Sequence, residues 1–195
     1  MAAWRTLYQG AVANPKDEQL WLEFFASSNE PFQKKEALDA LDSIWSSSHP
    51  VSNRLVSKAY EYARSVHAKD LALLWAERDV SLRRNSSEAL GRRAMALMSL
   101  GREQEGLAAY EYALNQDPTN SMLLNNLAWH LLRPEEGRNP EPERALKLAR
   151  RAVMHSTRPV AAYYDTLAAC LWETNSGDEA IEAQKTAVEL APESE

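Results

Sequence analysis

Ser87–Asn120 reads SEALGRRAMALMSLGREQEGLAAYEYALNQDPTN. The stretch holds two helical patterns of about a dozen residues each, with Gly101 between them and Asp117-Pro118 closing the second. Apolar residues recur at spacings of three and four within each half, which gives each helix an apolar stripe. Two such helices joined by a short turn form an antiparallel hairpin. The stretch is 34 residues long, so the first question is whether the rest of the chain repeats at that period.

It does, in both directions. With Ser87 as unit position 1, the small residue at position 20 is Gly106, and its counterparts are Ala3, Ala37, Ala72, Ala145 and Ala180. Their steps are 34, 35, 34, 39 and 35 residues. Apolar position 4 is Trp21, Val56, Leu90, Leu124 and Tyr164, and the closing proline returns as Pro15, Pro118 and Pro192. Pro50 falls one residue late, and Arg84 stands where a proline would. This register divides the chain into a half repeat, 1–17, and repeats at 18–52, 53–86, 87–120, 121–160 and 161–195. The 53–86 repeat lacks both the turn glycine and the closing proline.

Three segments carry a family resemblance: Ala113 to Asp117-Pro118, Asn125-Asn126-Leu127-Ala128-Trp129, and Gly177-Asp178-Glu179-Ala180-Ile181 through Ala187-Val188-Glu189-Leu190-Ala191-Pro192. They resemble the tetratricopeptide repeat family. NNLAW followed by YYDTLAA looks like its bacterial members, and WRTLYQGAVANPKDEQLWLEFF also resembles the half-a-TPR repeats of RNA-processing scaffolds. Both resemblances imply an all-α, right-handed α-solenoid of stacked antiparallel helix hairpins. Ala94, Ala128 and Ala168 at position 8 would let paired helices approach closely. No single hairpin covers its own apolar face, so neighbours must stack. Trp21 and Trp45 fall at family core positions. Residues 1–17 supply one helix only, and no polar capping helix follows 161–195. Terminal repeats normally need a solubilising cap, so the expectation is a segment of a longer protein, or ends that dock elsewhere.

Composition narrows the function. The formal net charge is −6, against the basic surface a nucleic-acid binder usually carries. A single cysteine, Cys170, rules out an intrachain disulfide and a cysteine-based structural zinc site. Beside Ala168-Ala169 it reads as core filling. No run is apolar enough to span a membrane. HExxH, P-loop, GxSxG and GxGxxG motifs are all missing. The four histidines, His49, His67, His130 and His155, show no ligand spacing. The reading is a non-enzymatic protein with no metal and no cofactor, cytoplasmic as given, or periplasmic if cut from a larger envelope protein. The stretch Arg133–Pro142, RPEEGRNPEP, lengthens one inter-helix loop and reads as a tolerated surface insertion.

The resemblance implies a concave face lined by first-helix positions 2, 5, 6, 9, 12 and 13. The site residues it suggests are Arg54, Lys58, Arg92, Met95, Asn125, Asn126, Trp129, Arg133, Asp165 and Trp172. An Asn amide can bond a peptide backbone with both donor and acceptor. Arg can grip a carboxylate with two parallel bonds, and Trp is a common interface anchor. The expected function is a protein–protein interaction module or scaffold that holds an extended, acidic peptide of a partner in its groove. The alternatives are a regulatory or substrate-docking domain of a larger enzyme or envelope secretion complex, and an RNA-associated half-a-TPR scaffold. No small-molecule substrate or membrane insertion is expected.

Overall fold

The computed structural model describes residues 3–14, 17–27, 31–46, 52–134 and 138–191. Among the described residues it is all-helical. The helices are α1 (Ala3–Ala13), α2 (Glu18–Ser27), α3 (Pro31–Ser46), α4 (Asn53–Ser65), α5 (Lys69–Leu82) and α6 (Ser87–Ser99), then α7 (Glu103–Gln116), α8 (Ser121–Leu132), α9 (Pro142–His155), α10 (Ala161–Glu173) and α11 (Gly177–Leu190). They group into two compact units, residues 1–102 and 103–195.

Local chemistry sets where the helices begin. Ser52, Ser86 and Asn120 each accept a hydrogen bond from the backbone N–H three residues on, at 3.3, 3.3 and 3.2 Å, and so cap α4, α6 and α8. Pro142 opens α9, where its missing N–H costs nothing.

The ends are as specific. After α6, Gly101 turns left-handed at φ 73°. Its N–H donates to the Met98 carbonyl at 3.1 Å, and Arg102 N–H donates to the Leu97 carbonyl at 3.0 Å. This pair of bonds is the Schellman turn. The same two bonds follow α4 through His67 (φ 56°) and α10 through Asn175 (φ 58°). The repeat without a turn glycine therefore makes the same turn, with His67 carrying the strain of a left-handed side-chain residue.

In the first unit α1 packs on α2, both α2 and α3 touch α4, α4 lies on α5, and α5 on α6. Its core starts in an aromatic cluster: Trp21 and Phe24 are fully buried, and the Phe25 ring lies 4.5 Å from that of Tyr62. The Trp45 side chain, also expected in the core, lies outside the described residues. In the second unit α7 packs on α8, α8 on α9, α9 on α10 and α10 on α11, and α8 also reaches α10. The small residues sit where helices cross most closely: Ala94, Ala128 and Ala145 have no exposed surface, and Ala168 and Ala180 are 4% exposed. Cys170 fills the same kind of space and is fully buried. Burial pushes its thiol up to about 11, so it stays protonated near neutrality.

Candidate partner-binding site

The second unit presents two tryptophans to solvent. Trp129 on α8 is 41% exposed and Trp172 on α10 is 67% exposed. Exposing a large aromatic surface forgoes the burial that stabilises a core, so these side chains are available to something else. Along α8, Met122, Asn125, Asn126 and Trp129 follow three- and four-residue spacings and share one side of the helix. Met122 is 40% exposed. Asn125 is 93% buried, and its Oδ1 accepts no hydrogen bond from any described residue. Asn126 is half-buried beside it.

Trp172 belongs to an open pocket of about 370 Å³. Its walls are Asp165, Ala168, Ala169 and Trp172 from α10, Ala180, Ile181 and Gln184 from α11, and Arg133 after the end of α8. The floor is apolar because Ala168 and Ala180 are the small crossing residues of α10 on α11. The rim is polar. Arg133 approaches Glu173 at 3.5 Å, and Gln184 Nε2 donates to Asp165 Oδ1 at 3.4 Å. The structure thus brings Arg133, Asp165 and Trp172 into one site. Ile181 and Gln184 on α11 were missed because only first helices were expected to line a groove. Ile181, an isoleucine at a position where burial would need a neighbour, was the available signal.

The cations of the first unit are mostly engaged. Arg92, expected to face a ligand, donates from Nη1 to Asp79 Oδ2 at 2.7 Å, while Arg83 grips the same carboxylate from Nε at 2.8 Å and Nη2 at 2.7 Å. Asp79 has no exposed surface. A buried carboxylate must be matched by charge and hydrogen bonds, so Arg92 ties α6 to α5 and is not free to receive a partner. Lys58 pairs with Glu61 at 2.7 Å in solvent. Arg54 is exposed and Met95 half-buried.

The 133–141 connection is anchored at its far end. Arg138 Nη2 donates to the His130 carbonyl at 2.7 Å and to Glu103 Oε1 at 3.0 Å, and Nη1 donates to Glu141 at 3.1 Å. Glu141 N–H donates to the Leu131 carbonyl at 2.9 Å, closing the loop back on α8. The His130 ring lies 5.8 Å from the Tyr110 ring. Burial holds its pKa below the usual imidazole value, with Arg138 adding to that and Glu103 opposing it. Among the described residues no group of three or more His, Cys, Asp or Glu side chains is placed to hold a metal ion.

The family model for the tetratricopeptide repeat matches residues 87–120 and 161–194. Those two stretches carry tetratricopeptide repeats. Solved structures agree on the fold. MamA 41-end from Desulfovibrio magneticus RS-1 is 16% identical, with a TM-score of 0.65 over 97% of this chain and 96% of that one. TTC0263, a thermophilic TPR protein of Thermus thermophilus, is 16% identical, with a TM-score of 0.63 over 94% and 93%. YrrB, described as a TPR protein with an unusual peptide-binding site, is 12% identical, with a TM-score of 0.58 over 98% and 95%. Comparison with curated protein sequences finds no match. Tetratricopeptide repeats are in general interaction modules and not enzymes, and they make a scaffold for binding other proteins. No helix among the described residues is long and apolar enough to cross a membrane.

Proposed function

We propose that the second unit holds a segment of another protein on the surface formed by α8, α10 and α11, with the pocket beside Trp172 taking an apolar side chain. One observation carries this reading. Trp172, at 67% exposure, stands at the edge of an alanine-floored pocket whose rim offers both a guanidinium, Arg133, and a carboxylate, Asp165. An apolar cavity with few polar groups at its margin is what a side-chain anchor needs. Trp129 and the half-buried Asn126 extend the same surface along α8.

The acidic peptide expected from the sequence has less support than the apolar anchor. Lys58, Arg92 and Arg133 each already face a carboxylate of this protein. An occupant of the pocket would meet Asp165 and Glu173 beside Arg133.

The test compares proteins retained from an extract of the source cells by the wild type and by Trp172→Ala and Trp129→Ala, quantified by mass spectrometry. Anchors of this size are worth about 2 kcal/mol or more, a fall in affinity of roughly thirtyfold. Retention of the same proteins in the same amounts by both variants would refute the assignment.

A further inference from the structure

The stretch Arg144–Arg158 reads RALKLARRAVMHSTR: five Arg or Lys residues and no Asp or Glu, in a chain whose formal net charge is −6. Two of the five are matched by carboxylates of this protein. Arg144 pairs with Glu111 of α7 and, at 3.1 Å, with Glu141. Arg150 pairs with Glu179 of α11 at 2.7 Å. Lys147, Arg151 and Arg158 have no carboxylate within ion-pair distance among the described residues. Arg151 Nη2 donates to the Pro118 carbonyl at 2.7 Å. That bond orients the guanidinium but leaves its charge and its other N–H donors unmatched.

Lys147, Arg151 and Met154 recur at steps of four and three, so they share one side of α9. The buried Ala145, Leu148, Ala149 and Ala152 take the opposite side. Lys147 is exposed, and Met154 is 69% exposed. Glu143, one turn before Lys147, is the one acid on this helix. The basic side is open with the neighbours of α9 already in place. Both α8 and α10 pack on α9, and carboxylates of α7 and α11 reach its edges at Arg144 and Arg150.

We infer that the outward side of α9 is a second docking surface, which takes an acidic segment of a partner protein. Carboxylates of that segment lie over Lys147 and Arg151, and an apolar side chain lies on Met154. Charge complementarity selects this occupant. A protein segment can place acids only where the cations lie. A nucleic acid would bring uniform negative charge against Glu111, Glu143 and Glu179, which border the same side. A bilayer would need a row of large apolar side chains, and on α9 only Met154 is both large and exposed. Methionine adapts its shape to a contacting group and so suits such a contact. The surface shares no residue with the pocket beside Trp172, so the two stand or fall separately. An acidic partner meets unmatched cations here, and not at Lys58 or Arg92.

The experiment uses the full chain and a labelled glutamate-rich peptide with one central leucine, followed by fluorescence anisotropy. The expected result is saturable binding that weakens as salt is added. Lys147→Glu and Arg151→Gln should each weaken it about tenfold, and Met154→Asn about threefold. Lys58→Glu changes the net charge as much as Lys147→Glu does, and should leave binding unchanged. Trp172→Ala should also leave it unchanged. Lys147 and Met154 are exposed, so circular dichroism of their variants should match the wild type.

Absence of saturable binding overturns the inference. So does equal binding of a peptide with glutamine in place of glutamate, or an equal loss with Lys58→Glu, which would make the effect one of net charge. A single-stranded uridine oligomer, or vesicles containing phosphatidylserine, that bound through Lys147 more tightly than the peptide would overturn it too. If Trp172→Ala abolishes peptide binding while Lys147→Glu does not, the acidic segment belongs to the pocket beside Trp172. The surface on α9 then falls and the pocket stands.

Discussion

Replacing Asp79 with alanine tests the claim that Arg92 is a structural residue. The carboxylate is fully buried and receives three charge-assisted hydrogen bonds, at 2.8 and 2.7 Å from Arg83 and 2.7 Å from Arg92. Summing about 1.5–3 kcal/mol for each bond to a charged group would overstate the effect. The arginines are 23% and 20% exposed and can swing partly into water once the acid is gone. Breaking a buried ion pair from one side costs about 3–5 kcal/mol, and the partial exposure places this case near 3 kcal/mol. With a urea dependence of about 2 kcal/mol/M, the unfolding midpoint should fall by about 1.5 M. Arg92→Ala should cost less, about 1–1.5 kcal/mol, because Arg83 keeps its two bonds to the acid. Asp79→Leu combined with Arg83→Met and Arg92→Met should return to within about 1 kcal/mol of the wild type, since the charges are then removed together. The assay is equilibrium urea unfolding followed by far-ultraviolet circular dichroism. A loss below about 1 kcal/mol for Asp79→Ala, or a triple variant no more stable than the single one, would show that the three side chains do not act as a buried unit.

Other consequences follow from the same geometry. Arg138→Ala removes the bonds to the His130 carbonyl, Glu103 and Glu141. It should destabilise the second unit by about 2 kcal/mol and speed amide exchange at Glu141 and the start of α9. The pKa of His130 is lowered in the folded protein, mainly by burial, so the unfolded chain binds the proton more readily. Stability owed to the neutral ring is present above the unfolded value, near 6.5, and is lost as pH falls from there through the folded value. His130→Gln should flatten that acid limb in melting experiments between pH 7.5 and 5. His67→Gly should raise stability by about 0.5–1 kcal/mol, because glycine takes the left-handed turn at φ 56° without strain. A melting temperature unchanged or lowered would mean the side chain makes up for its own strain. Cys170, fully buried with its thiol pushed up to about 11, should react with a thiol reagent at pH 8 only as fast as the protein opens. Labelling in the native state at the rate of a free thiol would contradict that burial.

The sequence by itself determined the hairpins. A small residue every 34 or 35 residues, with the longer step of 39 at the insertion, and apolar rows at helical spacing leave few folds in which both can be buried. Trp21, Leu124, Ala128 and Ala145 are buried as that pattern requires. These features are legible because period and side-chain size act along the chain. The tertiary structure decided which polar side chains are spoken for. Arg92 and Trp129 occupy neighbouring positions of the expected first-helix face, yet Arg92 binds a buried aspartate on the preceding helix and Trp129 stays 41% exposed. Nothing in the local sequence of Arg92 reveals Asp79, 13 residues earlier and across a turn. The pocket was hidden for the same reason. Its alanine floor was visible as helix-crossing residues, but the opening beside Trp172, Ile181 and Gln184 depends on which helix covers which row. Burial in a repeat is set by the neighbour, so identical positions are core in one repeat and surface in the next.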